Sequence, residues 1–197
     1  MANAIRPSGL WPVKHLNGSP WNGQANVYYI APADTNSYAI GDPVVSSGNG
    51  DTNGVPGITL AANTGALRGV IVGLGTTPSL IANPHNLDQT IRPSGAQAIA
   101  YYALVVDSPD TIFAVQEPGT GTALTSAAIG FNVNLVINAN NGYVSQVTIN
   151  NTGAATTATL QMKLLGLAQI QNNAFGNGAT WLATINNHEL SAGTTGV

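Results

Sequence analysis

Cysteine is absent from this chain, and charge is scarce: five Lys and Arg and eight Asp and Glu among 197 residues make 7% charged, against about a quarter in an average soluble domain. The first absence excludes disulfides, thiolate nucleophiles and zinc–cysteine centres together, and leaves the redox compartment open. The second removes the usual source of solubility, so uncharged polar groups must supply it. Three of the basic residues fall in the first seventy positions and two afterwards. Phosphate backbones demand clustered cations, so no nucleic-acid partner is expected. No stretch approaches the roughly 20 apolar residues of a membrane span, so no membrane partner is expected either. Met1 to Trp11 carries one arginine but lacks the apolar run of a signal peptide, which points to a soluble product made in the cytoplasm.

What the chain does have is glycine (23), asparagine (22), proline (11) and 44% hydrophobic residues, with a net charge of −3. Disorder favours low hydrophobicity and high net charge, so the composition describes a folded protein whose turns are built from Gly, Asn, Pro and Ser. A chain of this length buries roughly 70% of its unfolded surface on folding. Its low charge also fits a protein whose surface is largely covered by neighbours.

Residues 1–25 hold Pro7, Pro12 and Pro20 among Trp11, Trp21 and His15. Proline at this density forbids a helix or a central strand, so the segment reads as an extended arm whose aromatics dock on a partner or on the arm's own domain. From Asn26 the pattern turns to short strands: "VYYIA", "SYAIGDPVVSS", "GITLAA", "ALRGVIVGL", then "AIAYYALVVD" and "TIFAVQEP" as a hairpin about Ser108-Pro109-Asp110. "TALTSAAIG" (122–130) is the single short helix, capped by Thr122 and stopped by Gly130. "FNVNLVIN", "YVSQVTIN", "TTATLQMKLLGLAQI" (156–170) and "TWLATINN" complete about ten strands. The expected fold is all-β, an antiparallel, jelly-roll-like sandwich or barrel over 26–197, with two sub-lobes at 26–75 and 96–190.

The pentapeptide Ile-Arg-Pro-Ser-Gly occurs twice, at 5–9 and 91–95, taking two of the three arginines. After each copy come a double tyrosine (Tyr28-Tyr29, Tyr101-Tyr102), an aspartate (Asp34, Asp107), and an aromatic-Ala-aliphatic-x-acid-Pro run ending at Pro43 or Pro118. The spacing from pentapeptide to tyrosines differs between copies. This is either a faded duplication or two segments meeting the same steric demand, with the pentapeptide serving as a strand-entry device.

Positive signs of chemistry are lacking. Asp107 and Asp110 flank a turn, which is ordinary turn chemistry before it is a catalytic pair. "DTNGVPG" at Asp51 opens like a calcium loop but lacks the third ligand spacing and the closing glutamate. "GLGTTP" and "GTGTALT" lack the helix and lysine of a phosphate loop. His15, His85 and His188 show no metal-ligand spacing, and no nucleophile elbow accompanies them. No catalytic residue, metal or cofactor is assigned.

"YYALVVDSPDTIFAVQEP", "LTSAAIGFNVNLV" and "TTATLQMKLLGLAQIQNNAFGNGATWLATINNHEL" resemble the head decoration, or cement, proteins of tailed double-stranded DNA bacteriophages. The likeness covers residues 98–190, with "YAIGDPVVSSG" a weaker echo. It implies a structural, non-enzymatic virion protein on the capsid exterior, bridging subunits of the major capsid protein and associating with copies of itself as a dimer or trimer. On that reading the arm is the clamp: Trp11 and Trp21 are anchors, Arg6 and Lys14 pair with acidic capsid residues, and removal of residues 1–24 abolishes binding without loss of fold. The alternatives are a carbohydrate-binding module of a tail or fibre, using Trp181 and Asn-rich loops, and a hydrolase built on a His188–Asp107 pair.

Overall fold

The computed structural model describes residues 3–78, 89–191, 193 and 196. Among them run fourteen strands: β1 (Trp11–His15), β2 (Asn26–Ile30), β3 (Tyr38–Ala39), β4 (Pro43–Gly50), β5 (Pro56–Leu60), β6 (Gly69–Gly75), β7 (Ile91–Arg92), β8 (Tyr101–Val106), β9 (Thr111–Gln116), β10 (Asn132–Val133), β11 (Leu135–Val136), β12 (Thr148–Ile149), β13 (Met162–Leu167) and β14 (Thr180–Ile185). The protein is all-β. Its two main bodies are a closed barrel, β2-β5-β4-β6-β8, and a five-stranded antiparallel sheet, β1-β9-β14-β13-β10; the pairs β3–β7 and β11–β12 complete it.

Strand β8 is buried along its whole length because β2 and β6 flank it and both its faces are covered, which is why its sequence is continuously apolar rather than alternating. Tyr101, Ala103 and Val105 fill the barrel with Tyr28, Ile30, Val44, Ile58, Ile71 and Leu74. The opposite face carries Val106 into a second core. The long turn from β4 to β5 is tied by Asp51, whose Oδ1 accepts from the backbone N–H of Asn53 and Val55, with Gly54 at φ 84° as the turn demands.

In the five-stranded sheet burial alternates over Phe113–Gln116 and Thr180–Ala183, while Thr111, Ile112 and Thr184 are buried as well. Phe113 and Val115 of β9, Trp181, Ala183 and Ile185 of β14, and Met162 and Leu164 of β13 point inward to a core shared with Leu135, Val147 and Ile149 and with the barrel wall at Leu67, Val70 and Val106. The two bodies therefore meet at this second core, while the barrel keeps an interior of its own. The division into 26–75 and 96–190 does not follow the sheets, since β8 closes the barrel and β1 belongs to the five-stranded sheet. Nor do β8 and β9 form a hairpin: β8 pairs β2 and β6, β9 pairs β1 and β14, and the turn at Ser108-Pro109-Asp110 is the corner where the chain changes sheets. The helix expected over 122–130 is one 3-10 turn, Ser126–Ala128, capped by Thr125 and followed by Gly130 at φ 89°. Only Met162–Leu167 of the long 156–170 run is strand, broken in register between Leu164 and Gly166.

The N-terminal segment is bound into the fold. Leu10 is buried in the shared core, and β1 forms the edge of the five-stranded sheet against β9, with a bulge between Pro12 and Lys14. An edge is the position that tolerates Pro12. The arm docks on its own domain, so the expectation that residues 1–24 can be removed without loss of fold is corrected. Leu10→Ala should cost about 2–5 kcal/mol in urea unfolding, and deletion of 1–24 should abolish the cooperative transition; an unchanged midpoint in either would contradict the role given to the segment.

Candidate functional site

The four residues singled out in the N-terminal segment separate. Trp11 opens β1 with 42% of its surface exposed, and its indole N–H is already satisfied by Ser8 Oγ at 2.7 Å. Lys14 lies on the same strand, half-buried, and Arg6 is exposed, its backbone N–H held by Gln116 Oε1. Trp21 is different: it packs against the shared core and donates its indole N–H to Gln24 O. Its neighbourhood is the protein's own interior.

Register places Trp11 and Lys14 on a surface that sequence reading did not assemble. Trp11 lies opposite Ala114, Ala114 opposite Leu182, and Leu182 opposite Gly166, with Leu165 bulged beside it and 37% exposed. These residues make an apolar row across four strands on the outer face of the sheet. The next row runs Lys14, Ile112, Thr184, Lys163, and its middle is closed, since Ile112 and Thr184 are buried. On the other side Gln116 and Thr180 border an amide-lined hollow of about 310 Å³, shared with Asn3 and Asn173. The only sequence signal for Lys163, Leu165 and Leu182 was their alternation with core residues, which marks a face without saying what lies on it.

The remaining charges are mostly turned inward. Asp107 accepts from Tyr28 Oη (2.6 Å) and Asn26 Nδ2 (2.8 Å), and Arg68 lies 3.6 Å from it while donating Nε to the same tyrosine. Burial, then the bond to Asp107, pushes the Tyr28 hydroxyl up to about 12. His188 is buried close by. Its Nδ1 accepts from Leu190 N–H and its Nε2 makes no hydrogen bond; burial, then the Arg68 charge, holds its pKa below the ordinary histidine value. The fold thus brings His188 and Asp107 into one neighbourhood, as an inward-facing junction. Asp110 is exposed on the turn, so the two aspartates do not make a carboxylate pair. His85 lies outside the described residues.

Glu117 is fully buried and accepts from Leu124 N–H, Asn151 Nδ2 and the indole of Trp181. Trp181 is itself fully buried, which removes it as a sugar-stacking platform. The Asp51 carboxylate is occupied by its own turn and by Tyr102 Oη; partial desolvation raises its pKa, but the hydrogen bonds from Val55, Tyr102 and Asn53 outweigh this and leave it lowered. Among the described residues no group of three or more His, Asp or Glu could hold a metal ion. A hollow of about 460 Å³ is lined by Ser37, Asp42, Leu60, Ser94, Asn138 and Asn140. Burial pushes Asp42 up to about 6, against hydrogen bonds from Ser145 and the Ala39 N–H.

The two pentapeptides do opposite work. Arg92 is fully buried: its guanidinium donates to the carbonyls of Asn36 (2.6 Å) and Asp34 (2.5 Å) and lies 5.6 Å from the ring centres of Tyr38 and Tyr101. What the copies share is the closing glycine in the left-handed region, Gly9 at φ 73° and Gly95 at φ 87°; Ile91–Arg92 is strand β7, whereas Ile5–Arg6 is not strand. The segments after them diverge as well: Tyr38-Ala39 pairs with β7, whereas Phe113-Ala114-Val115 lies within the five-stranded sheet.

No family model matches the chain, and neither a curated protein nor a solved structure matches it.

Arg92→Ala should cost about 3 kcal/mol or more, from the void and the two stranded carbonyls, while Arg6→Ala should stay within about 0.5 kcal/mol; equal effects in chemical denaturation would refute the distinction. A second prediction concerns pH. Folded Asp42 takes up its proton near 6 and the unfolded chain near 3.8, so its contribution is fully present below the lower value and is lost as pH rises through about 6, on the order of 2–3 kcal/mol. Asp42→Asn should therefore raise Tm at neutral pH and change it little near pH 4; a shift of equal size at both would show that the carboxylate's charge is not the cause.

Proposed function

We propose that this protein is a structural component of a virion, bound to the outside of a phage capsid, where it stabilises the head by bridging subunits of the major capsid protein. The observation that carries the reading is how the chain distributes its few charges. Asp42, Glu117, Arg92 and the Asp107–Arg68 pair are buried or nearly so and brace the fold from within. Groups used in this way are not free for chemistry on a substrate. The five-stranded sheet, by contrast, carries an exposed tryptophan, Trp11, on an edge strand fixed in the fold, in an apolar row with Ala114 and Leu182. A rigid body with an apolar, lightly charged face is what bridging requires, since affinity comes from shape-complementary contact and multiplies when symmetric copies engage a lattice.

The sequence resemblance supports the location on the capsid exterior, and most of the segments that carry the likeness lie in the body that bears Trp11. The carbohydrate-binding alternative is weakened because the tryptophan it relied on is inside the core.

Quantitative mass spectrometry of purified virions, counting this chain against the major capsid protein, tests the reading. A ratio near one is expected. A few copies per particle would move the protein to the tail, and absence from the particle would end the proposal.

A further inference from the structure

We infer that the hollow walled by residues 37–42 and the loop 137–144 is a binding site for a neutral saccharide, with Tyr143 of that loop as its stacking ring. The site is separate from the capsid contact proposed above and does not use Trp181. Its volume of about 460 Å³ lies in the range of small-ligand pockets, about 300–1,000 Å³. Hydroxyls, amides and one carboxylate line it, from Ser94, Asn138, Asn140 and Asp42, and Leu60 and Ile137 supply apolar wall. Among the described residues that line it there is no Lys, Arg or His, so nothing there matches a phosphate or a carboxylate ligand. Asp42 is the deeply buried member, at 3% exposed. Its Oδ2 accepts from the Ala39 N–H at 2.7 Å and Ser145 supplies a further bond, which leaves acceptor capacity in a group with about four lone-pair positions. A recess rich in acceptors, with apolar walls, fits a ligand that carries many hydroxyl donors around C–H faces, which is the chemistry of a sugar ring. A cation is a poorer occupant, since one carboxylate answers it and the rest of the lining is neutral.

The loop is fixed before any ligand arrives. The Ile137 N–H donates to Asn63 Oδ1 (2.8 Å), Asn138 Nδ2 to Gln146 O (2.9 Å) and Asn140 Nδ2 to Ser37 Oγ (2.7 Å). At the tip Asn140 Oδ1 accepts from the Gly142 N–H, and Asn141 Oδ1 accepts from those of Tyr143 and Val144. Val144 then pairs with Ile40, two residues before Asp42. Groups held in this way bind without a further ordering cost. Tyr143 is 73% exposed, more than any other large hydrophobic side chain among the described residues. A tyrosine has only two side-chain torsions to freeze, so a ring displayed on a fixed turn offers its face to the C–H side of a sugar at little entropic cost.

The test titrates the full chain with neutral oligosaccharides of glucose, galactose, mannose and N-acetylglucosamine by isothermal titration calorimetry, beside glucuronate oligosaccharides and putrescine as anionic and cationic counterparts. At least one neutral oligosaccharide should bind with a Kd of about 1 mM or tighter. Tyr143→Ala and Asp42→Asn should each weaken that binding about tenfold, by loss of the stacking ring and of a charge-assisted acceptor. Tyr143→Phe, which keeps the ring, and Trp11→Ala, which removes an exposed indole on the five-stranded sheet, should bind as wild type does. Thermal melts check that each variant folds; Tyr143 is exposed, and Asp42→Asn is expected to raise Tm. The site is overturned if no neutral oligosaccharide binds, if either Tyr143→Ala or Asp42→Asn keeps wild-type affinity, or if putrescine or glucuronate binds more tightly than every neutral sugar. None of these outcomes alters the copy number of the chain in virions, so the two proposals fail separately.

Discussion

The carboxylate of Asp107 has to be satisfied where the chain leaves the barrel, and the way this is done ties the bodies of the fold together. Tyr28 reaches it from β2, Asn26 from the same strand, and Arg68 from the residue before β6. The backbone of Leu67 meanwhile pairs with Asn187 and Glu189, beyond β14. An unpaired buried carboxylate is expensive, so these groups constrain one another: β2, β6 and β8 must close as a barrel, and the segment after β14 must return to it, for the donors to arrive. His188, whose pKa is lowered first by burial and then by the Arg68 charge, is buried at the same junction.

The same economy explains how so few charges suffice. A fold made of short strands and long turns has many backbone groups outside ladders, and asparagine, glutamine and the buried acids serve them. Asn151 bonds Thr120 O, Asn186 bonds the carbonyls of Ala158 and Leu160, and Gln161 bonds both Leu135 N–H and Ala62 O. Amides do this without the desolvation cost of ions, since each carries a donor and an acceptor. Two of these asparagines, Asn151 and Asn186, are buried and serve as internal scaffolding, whereas many others lie exposed in turns.

On the other side of the five-stranded sheet the economy leaves a contrast. The inner face is closed by the barrel wall, whereas the outer face keeps Trp11, Leu182 and Leu165 in one apolar row. Because β1 is both an edge strand and the carrier of Trp11 and Lys14, the segment first read as a detachable clamp is instead a rigid part of the surface. The geometry that fixes Trp11 also fixes the fold, through Leu10 one residue earlier.

Sequence alone determined the all-β class and most of the strand positions, because alternation acts within a few residues. It could not determine which strands pair, so the turn at Ser108-Pro109-Asp110 read as a hairpin when it is a change of sheet. It could not assemble the face joining Trp11, Leu182 and Lys163, which lie up to 171 positions apart in the chain. The repeated pentapeptide shows the limit most plainly. Both copies place their glycine at positive φ, although Ile91–Arg92 is strand and Ile5–Arg6 is not. Yet Arg92 is enclosed by Tyr38, Tyr101 and two carbonyls, while Arg6 faces solvent, because burial depends on what the rest of the chain brings to each site, and five identical residues carry no information about that.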